Sequence, residues 1–143
     1  MLKIVSALAC QCVLVLTVFL STSAQAQITA AELDRLSADV QPQVVEWRRW
    51  FHQNPELGNR EFNTAKKIAG ILAGMGLEPK TGIAHTGIVA IIKGGLPGPL
   101  VAIRTDMDAL PVTEVTGLPF ASTVTSEYNG KPSGVMHACG HDS

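Results

Sequence analysis

Leu100-Val101-Ala102-Ile103-Arg104-Thr105-Asp106-Met107-Asp108 is the stretch on which the reading of the fold turns, because an unbroken apolar run opens directly onto alternating charges. Four apolar residues in a row fit a strand buried on both faces, as in a sheet covered by helices. If the strand persists, its period of two sends Arg104, Asp106 and Asp108 to one side. Ligands of such sheets bind in the crevice at the carboxyl ends of the strands, so both aspartates stand where chemistry is expected. Two close carboxylates repel unless a cation or a proton shares the site. A solvated strand end with an Arg–Asp pair is the equal alternative.

Working upstream, Gly94-Gly95-Leu96-Pro97-Gly98-Pro99 reads as a loop, and Gly87-Ile88-Val89-Ala90-Ile91-Ile92-Lys93, rich in β-branched residues, as a second strand. A shorter strand is expected over Leu77 to Thr81. The period then changes to that of helices. Phe62, Ala65, Ile68, Ala69 and Leu72 share one face of a helix expected from about Arg60 to Met75, with Gly76 as its stop. Lys66 and Lys67 occupy its solvated side. An earlier helix is capped by Thr29, carries Leu33, Leu36, Val40, Val44 and Trp47 at spacings of three and four, and ends near Asn54-Pro55, with Pro42 as a kink or break. Helices followed by strands of this kind make an α/β domain with its helices packed on a mixed sheet. From Pro111 onward Gly117, Pro119, Asn129-Gly130 and Lys131-Pro132-Ser133-Gly134 break any long element, so this stretch reads as irregular.

The chain begins with Met1-Leu2-Lys3, an apolar run from Ile4 to Leu20, and a small-residue ending at Ala24-Gln25-Ala26. That is the layout of a secretory signal peptide, with cleavage after Ala26. An uncleaved membrane anchor is the bland alternative. Cleavage leaves no membrane anchor on residues 27–143 and places them outside the cytoplasm, in a periplasm or secreted. Cys10 and Cys12 leave with the leader, so Cys139 remains as a lone thiol in an oxidising compartment. Metal ligation would shield it, and simple burial would also suit it. Eleven basic against twelve acidic residues, a net charge of -1, give no sign of a nucleic-acid surface, and small molecules are the expected partners.

The richest segment is His137-Ala138-Cys139-Gly140-His141-Asp142. A thiolate and an imidazole are ligand types favoured by zinc and its neighbours, and a turn at Gly140 lets both converge on one centre. Cys139 and His141 are the metal-ligand candidates. His137 and Asp142 are candidates for orienting them by hydrogen bonds. Bare C-x-H spacing is weak; the whole hexapeptide says more.

Three ordered motifs, Arg49-x-x-His52-x-x-Pro55-Glu56-Leu57 with Glu61, Asp106-Met107-Asp108-Ala109-Leu110-Pro111, and His137 to Asp142, resemble the start of the metal-dependent amidohydrolases that include hippurate hydrolase, N-acyl amino acid amidohydrolases and auxin-conjugate hydrolases. The resemblance runs from about Val44 to the end. It implies the N-terminal part of a two-metal aminopeptidase-like catalytic domain, incomplete over residues 27–143. It also implies two divalent ions, zinc or manganese foremost with cobalt or nickel as options, and an N-acyl amino acid or peptide-like substrate split by a metal-activated water. Cys139 becomes a ligand shared between the ions, His141 a ligand to one, and Asp108 the aspartate that orients the metal site and supports catalysis. Asp106 stands where relatives often carry a ligand histidine; an aspartate is usual in this branch, and no ligand role is assigned to it. Pro55-Glu56-Leu57 reads as structural, closing the first helix against the sheet, and His52 and His85 as packing or surface residues. The general base, the remaining ligands and a lid domain through which relatives form homodimers would lie after residue 143. Two rival readings stay open: a thiol hydrolase with Cys139 as nucleophile and His137 or His141 as base, and an inactive fragment or binding module that keeps part of the fold.

Overall fold

The computed structural model describes residues 28–142. The leader read over residues 1–26 therefore lies outside the described residues. The described residues divide into two units between Asp39 and Val40.

Helix α1 spans Ala30–Gln53. Thr29 caps it as expected: its hydroxyl oxygen accepts the Glu32 N–H at 3.2 Å. In the first unit Arg35 pairs with Glu32 at 2.8 Å and Asp39 at 2.7 Å along the helix surface. Pro42 lies inside the helix, where it withholds the N–H that the Ala38 carbonyl would accept. Helical geometry nonetheless continues, and Leu33, Leu36, Val40 and Val44 remain exposed. Asn54 ends the helix by folding its amide back on the Trp50 carbonyl at 2.8 Å.

Helix α2 spans Phe62–Gly74. Its end has the hydrogen-bond pattern of a Schellman motif: Gly76 N–H donates to the Ala73 carbonyl at 2.9 Å and Leu77 N–H to Leu72 at 3.1 Å. Gly76 takes the required left-handed conformation with φ of 80°. The expected stop is therefore met for the expected reason. Lys67 sets its ammonium 5.0 Å from the centre of the Trp50 ring, joining α2 to α1 rather than standing in solvent alone.

Strands β1 (Lys80–Ile83) and β2 (Gly87–Val89) form an antiparallel hairpin beside α2. Both are shorter than expected and begin or end away from the forecast. Strands β3 (Thr125–Tyr128) and β4 (Lys131–Gly134) make a second antiparallel hairpin with Tyr128 opposite Lys131. Asn129 and Gly130 turn it, with φ of 52° and 75°, as a primed two-residue turn requires. Gly134, at its end, is pressed on Thr113: a Cβ there would lie 2.6 Å from the Thr113 Cα.

Two expectations need correction. The buried strand over Leu100–Ile103 is not formed; Leu100 is 94% and Ile103 93% exposed. Nor is there a broad mixed sheet: among the described residues the strands form two separate two-stranded antiparallel sheets. The physical reason is the same for both. A strand is completed by a neighbour, and no described strand lies alongside residues 100–103 to take up their backbone groups or cover their side chains. The architecture that is present is a partial α/β arrangement of two helices and small sheets. Among the described residues no helix is long and apolar enough to cross a membrane.

Candidate metal centre

The three sequence motifs, far apart in the chain, are stitched side by side by their backbones. Leu57 pairs with Ala109 in a parallel bridge, and Ala109 N–H donates to the Glu56 carbonyl at 2.8 Å. Leu110 and Met136 exchange N–H···O bonds at 2.9 and 3.0 Å in an antiparallel bridge. Leu57, Ala109 and Val135 are buried together, with Val124 packed on them. Ser122 fastens the far side, its hydroxyl donating to the Val135 carbonyl at 2.7 Å. This small core fixes where Asp108 leaves one rung and where His137 to His141 leave the next.

Beyond Met136 the chain turns into a short 3-10 segment, Gly140–Asp142. The turn brings Cys139 Sγ to 3.2 Å from His141 Nδ1. Asp106 Oδ2 lies 3.9 Å from the same nitrogen, while its Oδ1 meets the Arg104 guanidinium at 2.8 Å. Cys139 and His141 thus approach one another, and Asp106, given no ligand role from sequence, stands beside them. Asp108 is exposed and lies against Gly58, on which a Cβ would sit 3.4 Å from Asp108 Oδ2. His137 turns inward and buries its Nε2.

The donor chemistry fits a divalent cation of the zinc type. Sulfur and nitrogen at this separation can both touch one ion at bond lengths of about 2.3 and 2.0 Å. Among the described residues no group of three or more His, Cys, Asp or Glu is arranged to hold a metal ion. Cys139 and His141 are two such donors, fewer than a group of that kind requires.

The remaining motif residues build the frame. Glu56 directs its carboxylate at the start of α2, where it accepts the Asn63 N–H at 3.2 Å, the Asn63 side-chain amide at 2.8 Å, the Thr64 N–H at 2.8 Å and the Thr64 hydroxyl at 2.9 Å. Burial pushes this carboxyl up, but those four donors outweigh it and hold Glu56 below its ordinary value. Glu61 occupies the N-cap position yet makes no side-chain cap; it is engaged by the buried Thr86 hydroxyl at 2.8 Å instead. His52 Nε2 lies 3.0 Å from Glu114, whose side chain is 0% exposed. Burial raises the Glu114 carboxyl, and the Thr116 hydroxyl, the Ser122 N–H and His52 together bring it below its ordinary value. The His52 ring also meets Phe120 edge to face at 5.8 Å, and Arg49 lies over that ring at 5.1 Å. His85 packs on Phe62 at 5.2 Å. Both histidines make ring contacts, and His52 adds a polar contact with Glu114. Glu114 was not singled out from sequence, since nothing near it in the chain marks a partner 62 residues away.

Known proteins are similar to this chain in sequence and in fold. Residues 102–143 match peptidase family M20/M25/M40. The chain is 46% identical over 112 residues to the Synechocystis protein named "Probable hydrolase sll0100", covering 78% of this chain and 26% of that protein. It is 41% identical to the N-acyl-L-amino acid amidohydrolase of Geobacillus stearothermophilus, covering 80% of this chain and 29% of the relative. Among solved structures, the YXEP protein of Bacillus subtilis, described as a dinuclear metal binding peptidase from the M20 family, superposes with a TM-score of 0.62 at 42% identity, covering 73% of this chain and 27% of that one. The chain spans about a quarter of the length of the relatives it matches. With the motif order, the stitched core and the Cys139–His141 pair all in place, the chain belongs to the M20 family of peptidases and amidohydrolases.

Proposed function

We propose that this chain is the N-terminal part of an exported, metal-dependent amidohydrolase that splits the amide bond of N-acyl amino acids or similar peptide-like compounds. The observation that carries the reading is the 3.2 Å approach of Cys139 Sγ to His141 Nδ1, beside Asp106. In support, the Geobacillus relative is named for N-acyl-L-amino acids and the Bacillus structure for a dinuclear metal site. Cys139 and His141 would hold the metal, zinc or manganese foremost. When bound, such ions polarise an amide carbonyl and acidify water. Asp108, exposed at the end of its rung, would orient the metal site; Arg104, paired to Asp106, holds that carboxylate next to His141. Residues 1–26 would direct export to a periplasm or beyond the cell, and the whole protein would work as a homodimer.

A second reading has an observation of its own, since a thiol 3.2 Å from an imidazole is also a nucleophile beside a base. Cobalt(II) titrated into the whole protein, of which this chain is the N-terminal part, separates the two. Thiolate-to-cobalt absorption in the near ultraviolet is expected for the native whole protein, weakened by His141→Ala and absent in Cys139→Ser. No cobalt binding by the native whole protein would sink the metal reading. Retention of all bound cobalt by Cys139→Ser, with loss of hydrolysis of N-acyl amino acids, would establish the nucleophile.

A further inference from the structure

Glu56 is joined to two elements at once. Its side chain faces the start of α2 and accepts four hydrogen bonds there, two of them from backbone amides. Its own carbonyl faces the other way and accepts Ala109 N–H at 2.8 Å, the amide directly after Asp108. The helix amides carry partial positive charge and have no helical partners of their own. Glu61, the residue placed to cap them, is drawn off to Thr86. The capping duty therefore falls on Glu56, and it anchors Glu56 in place.

That anchoring reaches the acidic motif through very few bonds. Ala109 is 2% exposed and has no freedom to follow a shifted partner without opening the core with Leu57 and Val135. Gly58, two residues past Glu56, forms the surface against which the Asp108 carboxylate rests. One rung further, the Leu110–Met136 bridge sets the start of the segment that carries Cys139 and His141.

We infer that Glu56 is a positioning residue for Asp108: its carboxylate, locked to the N-terminus of α2, fixes the rung that holds Asp108 in register with the Cys139–His141 segment. The inference rests on the role proposed for Asp108, but the geometric link stands apart from it. A plain helix cap would stabilise α2 and leave the Asp108 rung alone. A positioning residue ties the two together.

Amide hydrogen exchange on the metal-free full chain distinguishes these. In Glu56→Ala, the amides of Asn63, Thr64 and Ala109 are expected to exchange about tenfold faster or more, together, while amides of the β3–β4 hairpin keep their native rates. In Glu56→Gln, which retains one acceptor oxygen, all three should fall between native and Ala values. Faster exchange at Asn63 and Thr64 with an unchanged Ala109 would overturn the proposal. If Glu56→Ala loses protection everywhere, Thr64→Ala serves instead, since it removes the side-chain half of the link; an unchanged Ala109 there also overturns the proposal. Because no metal is present, a failure here is separate from a failure of the metal reading, which cobalt binding tests.

Discussion

Two apolar regions of this molecule have opposite fates. Leu57, Ala109 and Val135 come from three distant points of the chain and are 5%, 2% and 2% exposed. Ile91, Ile92, Leu100, Val101 and Ile103 are richer in apolar side chains and closer together in sequence, yet each is largely exposed. The difference lies in the backbone. Each member of the first group sits on or beside a bridge and has a backbone partner: Ala109 donates to the Glu56 carbonyl, the Leu57 carbonyl accepts the Arg60 N–H, and Val135 donates to the Val124 carbonyl and accepts from the Ser122 hydroxyl. The second group has no described strand to pair with, so its hydrophobicity has nothing to act upon.

The comparison can be broken most violently at Val135. Val135→Asp places an unpaired charge in the centre of the bridged core and is expected to cost more than about 4 kcal/mol, seen as loss of the cooperative thermal transition by circular dichroism. A native-like melt would show that this core is not what holds the motifs together. Leu57→Ala leaves a cavity in the same place and should cost about 3 kcal/mol in urea unfolding. A cost under about 1 kcal/mol would place the stabilising contacts elsewhere.

Acid offers a gentler probe of the frame around that core. Glu56 and Glu114 are both held below an ordinary value of 4.5 by their hydrogen bonds. A lowered carboxyl contributes stability that is complete above its unfolded value and is lost as pH falls through its lower folded value. Unfolding midpoints in urea should therefore drop between about pH 5 and pH 3, with a shallower drop in Glu56→Gln. An unaltered acid limb in that variant would mean that Glu56 is not charged in the folded chain. The smallest effect is expected in the exposed stretch: Leu100→Thr and Ile103→Thr should change stability by no more than about 0.5 kcal/mol. A larger loss would reveal a contact for those side chains and sharpen the contrast in the other direction.

Much of this was open to inspection in the sequence wherever the cause is local. Thr29 as a cap and Gly76 as a stop need only their own helices, and both act as read. Cys139 and His141 are two residues apart around a glycine, so their approach could also be anticipated. Asn129-Gly130 is a hairpin signal in its own right, yet counted with Gly117, Pro119 and Lys131 to Gly134 it reads only as a break in any long element. Other features depend on distant partners. Glu56 caps a helix that begins after the residue in its N-cap position, and the His52–Glu114 contact joins segments 62 residues apart. The strand at Leu100–Ile103 fails for the converse reason, since its apolar pattern specifies a layer that only a neighbour could complete.

Gly134 shows how little room the frame leaves. Even a single methyl group at this position would collide with the Thr113 main chain, only 2.6 Å from where its carbon would lie. Thr113 adjoins Glu114, which grips His52 on α1. A one-codon change to alanine at the edge of a hairpin would thus be felt on the first helix, and laboratory evolution of this region should find position 134 closed while its solvent-facing neighbours drift.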